Sequence, residues 1–183
     1  MARISIVYGT REGQTAKIAD TLAETLKSRG FNVTVDNAKE IPSNFTLTGA
    51  TGIIVGASLH FGSYEKEISQ FITKYNADLK SLPSAFFSVS GADSDPVVEH
   101  RKRLDGQVKK YLDKVQWEPK MIGRFGGCVA YTKYGFFKRM MMVCISSCGG
   151  MPTDTSKDHE FTDWEQVKGF ANKFVDSLEG RPE

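Results

Sequence analysis

Residues Thr10 to Thr15 place hydroxyl, acidic, amide and glycine groups between an apolar run, Ile4–Tyr8, and a helical pattern. A glycine at such a strand-to-helix turn can adopt positive φ, and the unpaired amides of the helix start attract an anion. The spacing lacks both the six-position glycine pattern of dinucleotide sites and the Gly-Lys-Ser/Thr ending of triphosphate loops. It therefore predicts a phosphate site for a mononucleotide, with an ordinary capped helix start as the alternative. The predicted binding residues are Thr10, Arg11, Glu12, Gly13, Gln14 and Thr15.

Length and composition favour a single domain over residues 1–183. Hydrophobic residues make up 40% of the 183, which is enough for one well-buried core and short for two. The formal charge is only +2, so we expect no nucleic acid partner.

Charge is unevenly distributed along the chain, because residues 119–153 contain no Asp or Glu. The basic residues in that stretch are Lys120, Arg124, Lys133, Lys138 and Arg139. No apolar run approaches the ~20 residues that span a bilayer, and no charged-then-apolar leader opens the sequence. These features predict a cytoplasmic protein.

The Cys and His residues form no recognisable constellation. Cys144 and Cys148 lack the redox C-x-x-C spacing, and Cys128 makes the count odd, so we interpret all three as packing residues rather than a disulfide framework. The histidines are dispersed, and we expect neither a metal site nor a hydrolytic triad. His60 alone falls in a predicted cofactor loop, where a role near the ligand and a plain surface position are equally open.

Short β-rich runs alternate with helical periods along the chain. The predicted strands are Ile4–Tyr8, Asn32–Asp36, Gly52–Gly56, Ser84–Ser90 and Met121–Tyr131. Strands joined by helices of this length imply parallel pairing, because short loops cannot connect parallel neighbours. The predicted fold class is α/β, a doubly wound five-stranded parallel sheet between helices.

Apolar residues spaced by three and four predict the helices between these strands. Thr162 and Glu165 also form the sequence pattern of a capping box at the start of the last helix. The residues that define the apolar stripes are Ile18, Leu22 and Leu26; Ile68, Phe71, Ile72 and Tyr75; Leu104, Val108 and Leu112; and Trp164, Val167, Ala171, Phe174 and Leu178.

Doubly wound sheets bind ligands beyond the carboxyl ends of their strands, where strand order reverses. The loops after the predicted third and fourth strands are rich in small and polar residues, which let backbone approach a flat ring. A phosphate loop and a planar ring at one switch point predict flavin mononucleotide (FMN), although glycine and serine are common in any such loops. The additional cofactor-binding candidates are Ala57, Ser58, Leu59, His60, Phe61, Gly62, Ser88, Val89, Ser90, Gly91, Ala92 and Asp93.

Over nearly its whole length the chain resembles flavodoxin-like, menaquinone-dependent protoporphyrinogen IX dehydrogenases. The phosphate loop alone would indicate only a flavodoxin, and later segments point to this branch. Those segments are Gly56-Ala57-Ser58 with Gly62 and Tyr64, Pro83 to Val89, Trp117 with Pro119, Gly149-Gly150 before Thr153-Asp154-Thr155, and Thr162 to Val167.

The resemblance implies strand order 2-1-3-4-5 and FMN-dependent oxidation of protoporphyrinogen IX to protoporphyrin IX in heme biosynthesis, with electrons passed to menaquinone. It further implies a position at the inner face of the cell membrane, and homo-oligomer formation stays open. The catalytic residues are unknown, since no general base stands out. Two alternatives remain: a flavodoxin-type electron carrier, and an FMN-dependent quinone reductase.

An insertion of about 132–161 precedes the last helix and is the segment that we tie to the substrate or the membrane. On a helix, Phe137, Met140, Met141, Cys144, Ile145 and Cys148 share one face, and Lys138 and Arg139 lie opposite. Three interpretations are open. The segment covers the sheet as part of the core, or it lies on a lipid surface. In the third, its aromatic and Met residues form walls for a porphyrinogen, and Lys or Arg binds the propionates. The candidate residues are Tyr131, Lys133, Tyr134, Phe137, Lys138, Arg139, Met140 and Met141.

Overall fold

The computed structural model describes residues 2–60, 62–91, 98–148 and 152–180, and the side chains of 98–101, 138, 145 and 148 are also left out of the description. The strands are β1 Arg3–Gly9, β2 Asn32–Asn37, β3 Gly52–Ser58, β4 Ser84–Ser90, β5 Met121–Gly126, β6 Cys128–Val129 and β7 His159–Glu160. The helices are α1 Gln14–Ser28, α2 Lys66–Lys74, α3 Asn76–Ser81, α4 Val98–Lys114, α5 Phe136–Cys148 and α6 Trp164–Leu178.

A parallel sheet of five strands, in the order β2-β1-β3-β4-β5, forms the centre of the molecule. Its middle strands are apolar on both faces, because helices cover both: Ile54 is fully buried between Ile6 on β1 and Ala85 on β4. The predicted fold class and strand order are confirmed.

Each face of the sheet carries its own hydrophobic core. On one face α1 and α6 pack together, with Leu22 and Phe174 among the buried residues. On the other face α2, α3 and α4 contribute Ile68, Leu79 and Val108. The helical stripes read from the sequence are thus the faces that fold onto the sheet.

Two sequence predictions about element ends are wrong. The fifth strand ends at Gly126 rather than Tyr131, because Cys128–Val129 leaves the main sheet and pairs antiparallel with β7. The cap of α6 is Asp163, whose side chain accepts hydrogen bonds from the amides of Glu165 and Gln166. Thr162 instead donates its hydroxyl to the Gly126 carbonyl.

The insertion and the short strand β6 before it fold together as a small unit between β5 and α6. It consists of β6, a turn of 3-10 helix at Tyr131–Lys133, α5 and β7. Its core contains Val129, Tyr131 and Tyr134. In the described part of the chain, no helix is long and apolar enough to cross a membrane.

Candidate functional site

The loop predicted to bind a phosphate (the phosphate loop) lies between β1 and α1. Gly13 directly precedes α1 with φ of 98°, and its amide donates to the Thr10 hydroxyl at 2.9 Å. The left-handed backbone at Gly13 is strongly unfavourable for a residue with a Cβ, and it directs the chain into the helix. The side chain of Gln14 donates to the Thr162 hydroxyl at 2.8 Å, which ties the loop to the segment before α6.

The buried hydroxyl of Thr15 is the feature that best fits a bound phosphate. Its side chain is only 1% exposed, and its Oγ1 has no hydrogen-bond partner among the described residues. A buried hydroxyl without a partner costs free energy. A phosphate seated at the start of α1 would accept this hydroxyl together with the free helix amides.

A cavity of about 300 Å³ opens beside this loop at the carboxyl ends of the strands. That volume is at the lower end of the range for small-molecule sites. The cavity is lined by the loop after β1, by the ends of β3 and β4 with the residues that follow them, by the segment after β5, and by Tyr134 and Met142 of the insertion. The lining residues are Thr10, Arg11, Glu12, Gln14, Thr15, Ser58, Leu59, His60, Val89, Ser90, Gly91, Gly127, Cys128, Val129, Tyr134 and Met142.

Most of the predicted cofactor residues are therefore brought together, and the exceptions are specific. Ala57 is buried in β3, and the Ser88 hydroxyl shares a 2.9 Å hydrogen bond with Tyr64 in the core. Gly13 and Gly62 shape their turns through positive φ rather than lining the cavity. The predicted residues Phe61, Ala92 and Asp93 lie outside the described residues.

Gly127 is a lining residue that sequence reasoning missed. A Cβ on Gly127 would lie 3.1 Å from the Ser90 carbonyl carbon and 3.2 Å from the Gly91 nitrogen. The Gly127 amide also donates to the Ser90 carbonyl at 2.9 Å. A side chain at this position would crowd the Ser90–Gly91 backbone, so glycine lets the chain after β5 approach this end of the cavity closely, and the Gly126-Gly127 pair was the available signal.

Glu65, which also escaped sequence reasoning, is a buried carboxylate behind the cavity wall. It is 3% exposed, and its Oε2 accepts a hydrogen bond from the Ser58 amide at 3.1 Å. The Ser58 hydroxyl donates to the other oxygen, Oε1. Ser58 was predicted to contact a flavin edge, and the structure engages both of its donors with Glu65.

A buried polar layer continues below this pair. The Tyr64 ring lies against Tyr111, with ring centroids 4.3 Å apart, and the Tyr111 hydroxyl pairs with Ser69 at 3.2 Å. Burial raises the pKa of Tyr111 to about 12, and the nearby Glu65 charge adds to the rise while the Ser69 hydrogen bond opposes it. Tyr111 therefore stays neutral and acts as packing under the site.

The insertion is fastened to the phosphate loop by the residues proposed for substrate or membrane. The Tyr134 hydroxyl donates to a Glu12 carboxylate oxygen at 2.6 Å, and the Lys133 ammonium donates to the Glu12 carbonyl at 3.2 Å. Arg139 donates to the carbonyls of Tyr131 and Tyr134 at 3.2 and 3.1 Å. Burial, followed by the Glu12 contact, raises the pKa of Tyr134.

The apolar face of α5 points outward. Phe136 is 70% exposed and Phe137 is 86% exposed, and Met140 and Met141 are about half exposed. On the inner side, the buried Ser146 hydroxyl accepts a 2.7 Å hydrogen bond from Tyr131. This face does not cover the sheet. The Lys138 side chain lies outside the described residues.

Cysteine and metal chemistry find no support among the described residues. No group of His, Cys, Asp and Glu there is arranged to hold a metal ion. Cys128 is half-buried, and burial followed by the Asp158 and Glu160 charges raises the pKa of its thiol. Cys144 is exposed, so its interpretation as a packing residue is wrong, because the face of α5 that carries it points to solvent.

A glycine-containing loop at a helix start, beside a cavity at the switch point of a doubly wound parallel sheet, is the arrangement typical of mononucleotide-binding α/β proteins. The flavodoxin domain family matches residues 5–156, and the chain belongs to this family.

Curated relatives support the narrower resemblance. The protoporphyrinogen IX dehydrogenase (quinone) of Escherichia coli strain K12 is 33% identical over 170 residues, which is 93% of each chain. The Leishmania major protein of the same name is 28% identical over 171 residues, covering 93% of this chain and 73% of that protein. The resemblance predicted from the sequence is confirmed.

Solved structures agree on the fold. A short-chain flavodoxin associated with a bacterial microcompartment superimposes with a TM-score of 0.57 at 14% identity, covering 97% of this chain and 99% of that chain. An oxidised flavodoxin from Bacillus cereus gives a TM-score of 0.53 at 15% identity, covering 95% and 97%. At these identities the likeness shows the fold alone.

Proposed function

We propose that this protein is an FMN-dependent oxidoreductase that converts protoporphyrinogen IX to protoporphyrin IX and passes the electrons to a quinone, menaquinone in the first instance. The observation that supports the proposal is the cavity, beside which the buried Thr15 hydroxyl has no partner among the described residues and is available to a phosphate. The names of the relatives supply the substrate and the acceptor.

The residues around the cavity divide into a phosphate end and a ring end. The start of α1, with Thr10 and Thr15, would hold the phosphate. The ring would lie against Leu59, Ser90 and Gly91, next to the backbone of Gly127. When bound, FMN supplies the capacity to accept a hydride equivalent from one partner and release electrons to another.

The insertion is the part that we assign to the porphyrinogen. Met142 and Tyr134 line the cavity from the insertion, so a macrocycle lying against α5 would reach the cavity. Arg11 and His60 also line the cavity and carry groups suited to propionates. No general base is assigned, and the protein's share is to orient two partners in turn and exclude water.

We further propose that the exposed face of α5 seats the protein on the inner face of the cell membrane. Phe136, Phe137, Met140 and Met141 form an apolar patch on a stretch without acidic residues. Aromatic rings at headgroup depth and basic flanks facing anionic lipid are the usual features of interfacial helices. Because Met142 of the same helix lines the cavity, a quinone dissolved in the bilayer would then lie near it.

Two alternatives are less favoured. A flavodoxin-type electron carrier would use the same loops, but such carriers are usually strongly acidic, whereas this chain has a formal charge of +2. An FMN-dependent quinone reductase fed by a nicotinamide cofactor would need a second nucleotide site, and the sequence has no dinucleotide fingerprint.

An anaerobic two-step assay tests the proposal. Protein reconstituted with FMN is mixed with protoporphyrinogen IX, and flavin absorbance is followed. A menaquinone analogue is then added, and porphyrin fluorescence is recorded against a reaction without protein. We expect flavin bleaching first and quinone-dependent porphyrin formation second. FMN binding without either signal would contradict the proposed reaction and favour the carrier.

A further inference from the structure

Glu65 is a buried acidic residue that has no part in the proposed phosphate site or in the insertion. It stands directly before α2, and it is 3% exposed. Both of its carboxylate oxygens accept hydrogen bonds from Ser58, one from the amide at 3.1 Å and one from the hydroxyl. Since Ser58 lines the cavity, this carboxylate lies one hydrogen bond behind the cavity wall.

The surrounding fold makes room for this carboxylate. A Cβ on Gly9, the last residue of β1, would lie 3.2 Å from Glu65 Oε2 and 2.7 Å from Ile68 Cγ1. The positive end of α2 lies beside Glu65 and favours a negative charge there. The Ser58 donors and the helix end together offset the cost of burying the acid.

We propose that Glu65 is a positioning residue that keeps Ser58 turned away from the ring and holds the reduction potential of the bound flavin low. The inference rests on the proposed FMN site. Uptake of two electrons and one proton by the ring adds one net negative charge to the cavity. A carboxylate behind the wall opposes that charge, because like charges close together in a poorly hydrated site repel strongly. Glu65 thereby favours onward transfer of the electron pair to the quinone.

The test compares Glu65→Gln with Glu67→Gln. Glutamine at 65 retains an oxygen that accepts from Ser58 and removes the charge. Glu67 is in the first turn of the same helix and is only partly buried, so its substitution makes the same charge change away from the wall. The potential of bound FMN is measured anaerobically by equilibration with a reference dye, and the melting temperature of each FMN-free protein is recorded beside it.

We expect E65Q to raise the affinity for reduced over oxidised FMN by about tenfold, which for a two-electron couple is about 30 mV. E67Q should change this ratio by less than about twofold, as expected for a screened surface charge. Equal potentials in both variants, with a lower melting temperature for E65Q, would overturn the proposal and leave Glu65 a structural residue.

A second variant protects the test against a failure of E65Q to fold. Ser58→Ala removes one donor to Glu65 and leaves the charge, so the potential should fall or stay unchanged rather than rise. A rise in S58A would contradict the assigned role. Wild-type protein that binds no FMN would overturn the cofactor site itself, a result distinct from an unshifted potential.

Discussion

Tyr134 in the insertion donates its hydroxyl to the carboxylate of Glu12 in the phosphate loop, at 2.6 Å across 122 residues of sequence. Lys133 reinforces this link through the Glu12 carbonyl. The loop predicted to hold the cofactor and the segment assigned to the substrate are therefore fastened to each other. Ordering of one favours ordering of the other, because each contact restricts both segments.

Tyr134→Phe should weaken FMN binding and loosen the insertion together. A hydrogen bond to a charged group contributes about 1.5–3 kcal/mol when buried, and Glu12 is only partly buried. We therefore expect a loss of FMN affinity of about fivefold, measured by quenching of flavin fluorescence. Amide hydrogen exchange in residues 131–143 should increase in the same variant.

Tyr75→Phe is the matched control for this experiment. Tyr75 packs its ring against Phe45 and Phe71, away from the cavity. Its substitution should leave FMN affinity unchanged. If Y134F shows faster amide exchange in the insertion but keeps full FMN affinity, the insertion contacts the phosphate loop without affecting FMN binding.

Thr15→Val should impair the cofactor site without harming the fold. The Thr15 Oγ1 is buried and has no protein partner in the described chain, so valine removes no internal hydrogen bond. Loss of one hydrogen bond to a charged phosphate predicts an affinity for FMN lower by about 10- to 100-fold. The melting temperature of the FMN-free protein should stay the same or rise.

Thr10→Val provides the contrast. The Thr10 hydroxyl accepts the Gly13 amide, so its loss also disturbs the turn that leads into α1. We expect T10V to lower both FMN affinity and apoprotein stability. Stoichiometric FMN retained by a T10V/T15V double variant would rule out this loop as the phosphate site.

Features of the site formed by residues adjacent in the chain could be predicted from the sequence. Features that depend on contacts between distant segments could not. The Thr10 to Thr15 loop was recognisable because its glycine, its hydroxyls and its helix start are adjacent in the chain. The Glu65 contact with Ser58 depends on how the loop after β3 folds back, and nothing local signals it. Asp163 rather than Thr162 caps α6, because the Thr162 hydroxyl donates to the Gly126 carbonyl instead.

The insertion also has a part that the sequence predicts and a part that it does not. Helical periodicity correctly grouped Phe137, Met140 and Met141 on one face of α5. Periodicity alone does not say whether such a face meets the protein or the solvent. The direction is set by Arg139, which donates to the Tyr131 and Tyr134 carbonyls, and by the buried Ser146, which together turn the polar side inward.

Replacing the exposed aromatic and Met side chains of α5 should weaken membrane binding. Phe137 and Met140 are both more than half exposed, so Phe137→Ser and Met140→Ser remove apolar surface without opening a cavity. Full burial of such a side chain contributes about 1.5–3 kcal/mol, and partial insertion contributes less. We expect at least about a fivefold loss of binding to anionic liposomes in the double variant, measured by co-sedimentation.

Ile122→Ser is the control, because Ile122 is half exposed on the edge strand β5 rather than on α5. It should bind liposomes like the wild type. Charge reversal at Arg139 is a poor test, since Arg139 holds the insertion together through two backbone carbonyls. Unchanged binding of the F137S/M140S variant would remove this patch as the membrane contact.

Asp158 fastens the far end of the insertion to Thr132 at its start, and this contact should make the insertion sensitive to acid. The Asp158 carboxylate accepts the Thr132 amide at 2.9 Å and the Thr132 hydroxyl at 2.7 Å. These hydrogen bonds, the amide first, hold the pKa of Asp158 below its ordinary value of 3.8. The folded carboxyl thus binds its proton less readily than the unfolded one, so its contribution to stability is complete above pH 3.8 and disappears as pH falls through the lower folded pKa.

Comparison of the wild type with Asp158→Asn isolates this contribution. The difference in unfolding free energy between the two should be constant above about pH 5 and shrink toward zero at lower pH, because the wild-type residue then becomes neutral as well. The Thr132 amide resonance should titrate in the same range. Asp113→Asn, on the exposed side of α4, is the charge-matched control. A difference that stays constant as pH falls would show that the Asp158 contact does not depend on its charge.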